Sequence, residues 1–414
     1  MTDNSALVRP FRGLRPAPGR ATDVAAPPYD VVNEQEAREK ADGKPHSFLH
    51  VSRAEIDFPA GTDAHSDAVY KKARANLDSM IAAGVLMRDE EPCYYAYRLV
   101  MGAHTQTGIV GAGSISEYDK NRIRRHELTR PDKEDDRVAN MEALDAQTGP
   151  VMVTHKKDTR VKAVIDRAAR SEPAADVTGD GNVQHTLWVI DDVSDIAELS
   201  AAFDAMDAIY IADGHHRSAS ASRVAAKRRS DASTGEESHE YFLIVTFPDD
   251  EVQILDYNRL VKDLNGLSAE DYLARIADAF TLDALDGPQR PAVARRFSMY
   301  LDGKWYGLGL KAPVPTDDPV AALDISVLTD RLLAPVLGIG DPRLDDRIQF
   351  VGGIRGMAGL QERVDSGEMA VAFALYPTSL ADLMAVADAN QVMPPKSTWF
   401  EPKLADGLVS LVLD

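Results

Sequence analysis

Cysteine occurs once in the 414 residues, at Cys93, which excludes an internal disulfide framework and a cysteine-based zinc site. No apolar run reaches the ~18 residues a bilayer-spanning helix needs, so no membrane partner is expected. Positive charge is scarce: 46 Lys and Arg against 66 Asp and Glu leave a formal charge of −20. Such a chain repels nucleic acid unless it carries a local basic patch, so no nucleic-acid partner is expected. Signature loops are missing as well. There is no Gly-x-x-x-x-Gly-Lys-Ser/Thr, no Gly-x-Gly-x-x-Gly opening a helix and no Gly-x-Ser-x-Gly elbow, which disfavours standard nucleotide folds and serine hydrolases. Met1-Thr2-Asp3-Asn4 has neither a basic n-region nor an apolar h-region, so the expected location is cytoplasmic, without a secretory leader.

What is present reads as an ordinary globular chain, 44% hydrophobic and 27% charged, long enough for two packed units. Proline and glycine crowd the first thirty residues, which should run extended with turns. Helical spacing covers 34–42, 64–83, 160–170, 193–205, 325–337 and 379–389. Strand patterns cover 47–51, 92–102, 107–116, 150–154, 186–190, 208–212, 241–247 and 370–375. The alternation predicts an α/β class with mixed sheets, of the α+β kind. A boundary is placed after 255. Residues 1–255 form the phosphate-binding and catalytic region, and 256–414 a second α/β region closing the site; the oligomeric state is open.

The sharpest motif is Ile209-Tyr210-Ile211-Ala212-Asp213-Gly214-His215-His216-Arg217. An apolar strand stops at Asp-Gly and passes straight into a helix of small residues. Glycine permits the tight turn, and the free N–H groups and positive dipole end of the new helix suit phosphate. His215, His216 and Arg217 add donors expected to converge on the same point, Arg217 bidentately. Asp213 suits orienting a histidine, capping the helix or placing a metal. The plain alternative makes Asp213 an N-cap and the histidines surface residues; propensity gives no reason for His-His-Arg in a first turn.

A second motif, Arg125-His126-Glu127-Leu128-Thr129 followed by Lys133 and Arg137, is a cationic island. Lys120 to Arg137 holds seven basic and five acidic side chains. A histidine beside a carboxylate suits proton transfer. Lys133 and Arg137, at i and i+4 of a helix opened by Pro131, share a face that could meet phosphate. A solvated charged helix is the simpler account of that face. Pro27-Pro28-Tyr29-Asp30 presents a tyrosine and a carboxylate on a rigid turn. Arg53, expected at a strand end, is placed to reach a substrate carboxylate or to be exposed. Val392 to Lys403 is a proline-braced aromatic loop that lines a site or packs on the core.

These motifs, with Pro10-Phe11-Arg12-Gly13-Leu14 and Met393-Pro394-Pro395-Lys396-Ser397-Thr398 before Pro402-Lys403, resemble in order the prokaryotic family called domain of unknown function 1015. The chain departs from the family pattern at Asp256-Tyr257-Asn258-Arg259, where Pro-Tyr-His-Arg is usual, and at Ser218, where an aromatic is common. The family is similar, more distantly, to the ParB/sulfiredoxin superfamily, in which Gly, His and Arg at a helix start cradle nucleotide phosphates. An enzyme that the family resembles phosphorylates free L-serine. The resemblance implies a ParB/sulfiredoxin-like core and a phosphotransferase on a small hydroxy amino acid, with ATP, ADP or pyrophosphate as donor and Mg²⁺ as the bridging ion. In that reading Gly214, His215, His216, Arg217, Arg125, Lys133 and Arg137 hold phosphate. Glu127 or Asp30 takes the hydroxyl proton, aided by His126, beside Asp213. Tyr29 and Arg53 hold the amino acid, and the metal ligands are open. The alternatives are a phosphoserine phosphatase and a ParB-like nucleotide-binding regulator without catalysis.

Overall fold

The apolar strands expected between residues 92 and 247 assemble into one sheet. The computed structural model describes residues 6–314 and 317–414, so the amino-terminal segment read above lies outside the described residues. The chain divides into two units, the first running to Val252 and taking back Pro402–Asp414, the second spanning Gln253–Glu401.

The first unit is built on a nine-stranded sheet. Its main path is Ile123–Arg124, Ile209–Asp213, Val151–His155, Tyr241–Pro248, His104–Ser114, Tyr94–Met101, Gln184–Ile190 and Ala175–Thr178, with Val8–Arg9 added beside His104–Ser114. Both parallel and antiparallel pairs occur, so the α/β class with mixed sheets holds. The hairpin expected between 92 and 116 closes at Met101 opposite His104, with Gly102 at φ +60°. Val151–His155 is buried along its whole length, as a central strand covered on both faces should be. The helix expected over 64–83 forms as Asp67–Ala82 and buries Val69, Ala73, Leu77 and Met80 on one stripe. Helix Pro131–Leu144 packs against helix His215–Arg228.

Two expectations for the first unit differ from the structure. Ser47–Val51 is no strand: Leu49–Ser52 is a short helical turn in the core. A short apolar run does not distinguish a strand from a buried turn. Arg53 therefore follows a helical turn, not a strand end. The carboxy-terminal end belongs to the first unit, because Ser410–Val412 pairs with Gly13–Pro16 and with Ala146–Gln147. A three-residue strand with partners so remote leaves no local pattern.

The second unit has a six-stranded sheet, every pair antiparallel, in the order Phe280–Leu285, Lys304–Leu310, Arg296–Leu301, Val371–Leu375, Tyr257–Val261 and Ile348–Gly352. The helix expected over 325–337 is shorter: Asp324–Leu328 is α-helical and passes into a π-helical turn, Thr329–Leu333. No helix among the described residues is long and apolar enough to cross a membrane.

Candidate functional site

One parallel pairing brings the two motifs together. Ile123 lies opposite Ile209 and Arg124 opposite Tyr210. Parallel strands leave a sheet at the same edge, so Arg125-His126-Glu127 and Asp213-Gly214-His215 emerge side by side. Against Val151–His155, the Ile209–Asp213 strand slips register between Ile211 and Asp213. Such bulges re-aim side chains at the ends of strands.

Gly214 then turns the chain at φ +102°, and a Cβ there would lie 3.1 Å from Arg217 Nε and 3.3 Å from the Val151 Cα. Both the conformation and the close approach call for glycine. The helix His215–Arg228 begins at once, with no side-chain cap. Its first-turn N–H groups are thus open to an anion.

Charges surround this start. Lys403 Nζ donates to Asp213 Oδ2 at 3.2 Å. Arg217, 6% exposed, sets Nη2 3.7 Å from Asp30 Oδ2 and 3.9 Å from Asp213 Oδ1, and donates through Nη1 to the Pro150 carbonyl. Burial opposes ionisation of Asp213, yet Lys403 and Arg217 hold its carboxyl well below the usual range. Burial also opposes the Arg217 charge, but Asp30 and Asp213 outweigh it and raise the guanidinium. Asp406 is buried and accepts the Tyr29 N–H at 3.2 Å; burial pushes its carboxyl up to about 7, with Arg217 pulling the other way. Arg137 lies 4.0 Å over the Tyr29 ring and pairs with Asp136, which also accepts from Tyr70 and His65.

A second group adjoins the first through His215. His215 Nε2 accepts the His126 N–H at 3.4 Å, so Nδ1 carries the ring proton and faces Glu127 Oε2 at 3.6 Å. The His126 and His215 rings meet edge to face, centroids 4.5 Å apart. Burial lowers both imidazoles to about 3. Both stay neutral at pH 7. His126 is fully buried; the Ile211 backbone lies near its ring, and neither ring nitrogen has a well-formed hydrogen bond.

The first-turn side chains do not converge as expected. His216 Nε2 accepts the Arg130 N–H at 3.1 Å, His215 turns to Glu127, and Arg217 turns to Asp30 and Asp213. Successive helical residues point about 100° apart, so three in a row cannot share one target. Arg125 is exposed and reaches Tyr118 OH at 3.3 Å. Lys133 is exposed, whereas Arg137 turns inward over Tyr29. Arg53 braces the turn by donating to the Tyr29 carbonyl at 3.2 Å.

Lys403 and Asp406 were not legible as site residues. The only local sign was Pro402-Lys403 in the closing motif; Asp406 had none. Among the described residues, the one set of three ligand atoms close enough to share a metal is Glu237, His239 and Glu240, on the turn before the Tyr241–Pro248 strand. The charged cup therefore holds no ready-made metal cage. A Mg²⁺ carried in with phosphates needs only one or two carboxylates, and the partly exposed Asp30 fits that need.

Fold and site define a class: a mixed α/β protein with a charged cup at a strand-to-helix turn. The chain belongs to the family described as "Protein of unknown function (DUF1015)", which matches residues 8–326. Among solved structures it is similar to free serine kinase in complex with AMP, with TM-score 0.34 and 11% identity over 73% of this chain and 92% of that one. It is also similar to C-terminally truncated SbnI from Staphylococcus aureus, with TM-score 0.38 and 12% identity over 72% and 85%. A conserved hypothetical protein from Pyrococcus furiosus matches with TM-score 0.33 and 12% identity over 72% and 93%. Likeness this distant assigns no activity. No curated protein matches the chain.

Proposed function

We propose that the chain is a phosphotransferase acting on a small hydroxy amino acid, with L-serine as acceptor and ATP, ADP or pyrophosphate as donor. One observation carries the reading: an uncapped helix start, led by Gly214, with Lys403 and Arg217 beside it. The donor phosphates lie against the first-turn N–H groups, and the two cations offset their charge. Phosphoryl transfer needs chiefly positioning and charge stabilisation, and this cup supplies both. Mg²⁺, held by Asp30 and the phosphates, would supply further charge neutralisation.

Glu127 is the base. The His215 Nδ1 proton faces it, which steadies its carboxylate, and its side chain is 35% exposed, so a substrate can reach it. It takes the serine hydroxyl proton as that oxygen bonds to the terminal phosphorus. The bond from phosphorus to the leaving phosphate breaks, and its electrons leave with that phosphate. The amino acid rests on the turn of Tyr29 and Asp30, which Arg53 braces.

The test is incubation of the full chain with L-serine, Mg²⁺ and each donor in turn, with O-phosphoserine read by mass spectrometry. O-phosphoserine from at least one donor is the expected result. Phosphate released from O-phosphoserine with no forward transfer would make the protein a hydrolase. No turnover in either direction would overturn the assignment.

A further inference from the structure

The second unit holds a cavity of about 310 Å³ that the phosphotransferase reading does not use. Arg259, Ile325, Ser326, Thr329, Asp330 and Pro394 line it, and Asp318 joins them. Arg259 is 1% exposed. Its Nη1 donates to the Tyr257 carbonyl and its Nη2 to the Lys396 carbonyl at 2.8 Å. Its Nε, fully buried, has no partner.

No carboxylate among the described residues pairs with this guanidinium. Asp256, three positions earlier, is committed to Arg290 at 2.8 Å and to Asn258. Burial pushes Arg259 down to about 9, with Tyr257 acting the other way, and the guanidinium carbon lies 5.3 Å from the centre of the Phe350 ring. A buried cation without a counter-ion costs several kcal/mol, and carbonyl dipoles and the Phe350 and Tyr257 ring faces offset only part of that. The Ser326 hydroxyl, also in the lining, is buried without a partner. Thr329 opens the π-helical turn, a rare form that recurs at functional sites.

The lining thus offers one buried cation, one unsatisfied hydroxyl and two carboxylates. Asp318 spends Oδ1 on the Val320 and Ala321 N–H groups, and Asp330 is exposed. A simple dianion would meet repulsion from both acids. A molecule carrying one anionic and one cationic group meets complementary charge at each end. The volume is at the small end of ligand pockets. We propose that this cavity binds a small zwitterion of the α-amino-acid class, its carboxylate on Arg259 and Ser326 and its ammonium facing Asp318 and Asp330. This site is lined by residues of the second unit alone and does not depend on the phosphotransferase reading.

Calorimetry on the full chain tests it, using a panel of α-amino acids with the deaminated acid and decarboxylated amine of each. At least one amino acid should bind, and its two truncated analogues at least about tenfold more weakly, because either leaves a charged group unpaired. Asp330→Asn, at an exposed position, and Ser326→Val should each weaken that binding at least about tenfold. Pyrophosphate binding, which reads the cup, should stay unchanged in both, and unchanged circular dichroism and thermal unfolding show that the second unit still folds. Failure here is therefore distinct from failure of the phosphotransferase reading. Absence of binding by every amino acid at about 10 mM, or binding indifferent to both substitutions, would overturn the proposal.

Discussion

Lys403 Nζ donates to Asp213 Oδ2 at 3.2 Å across a separation of 190 residues. The pair fastens the returning carboxy-terminal segment to the end of the motif strand. It also helps hold the Asp213 carboxyl low against burial, which acts to raise it. A cation is thereby held beside the uncapped start of the His215–Arg228 helix.

Lys403→Met should weaken pyrophosphate binding at least about tenfold, since it removes one charge-assisted contact to phosphate. The pair is partly exposed, so stability should fall by only about 1 kcal/mol. Lys403→Arg should recover most of the affinity. Calorimetry with pyrophosphate and a urea midpoint separate the two effects.

Acid should destabilise the fold early. Burial lowers His126 and His215 to about 3 and His155 and His185 to about 4, against an ordinary value of 6.5. Below 6.5 the unfolded chain takes up protons that the folded chain refuses. Stability present above 6.5 is therefore lost as the pH falls, by up to about 1.4 kcal/mol per pH unit for each histidine. Asp406 works in the opposite sense: its folded carboxyl, raised to about 7, keeps its proton, so its contribution is present at low pH and lost as pH rises toward 7. Four groups outweigh one. Thermal midpoints measured from about pH 7.5 down to about pH 5 should fall steadily; a flat profile would contradict the neutral, buried histidines.

Gly214→Ala should cost about 1–3 kcal/mol, because alanine is strained at φ +102° and its Cβ would press on the Val151 backbone. Pyrophosphate affinity should fall with it, since the first-turn N–H groups shift. Unchanged stability and affinity together would show that the turn is not needed in this form.

Glu127→Gln should lower phosphoserine formation by roughly a hundredfold or more while leaving donor binding unchanged, as expected for loss of a general base. The amide oxygen can still accept from His215 Nδ1, so the local structure should persist. Equal turnover would move the base to Asp30.

Much of this was legible where one local signal sufficed. The run Ile209 to Ala212 followed by Asp213-Gly214 marks its strand and turn, and the structure gives the strand as Ile209–Asp213 and the helix as His215–Arg228. The hairpin and the stripe of Val69, Ala73, Leu77 and Met80 follow from period alone. Illegible were features set by distant partners. The parallel pairing that joins the two motifs leaves no periodic trace. Nor did sequence show that Arg137 would turn onto Tyr29, or that Lys403 and Asp406 would return to the cup.

The most direct measurement is a crystal structure of the full chain soaked with pyrophosphate and Mg²⁺. The account predicts a phosphate group accepting hydrogen bonds from the His215 and His216 backbone N–H groups, with Lys403 and Arg217 alongside. Pyrophosphate bound elsewhere, with that helix start facing only water, would contradict it.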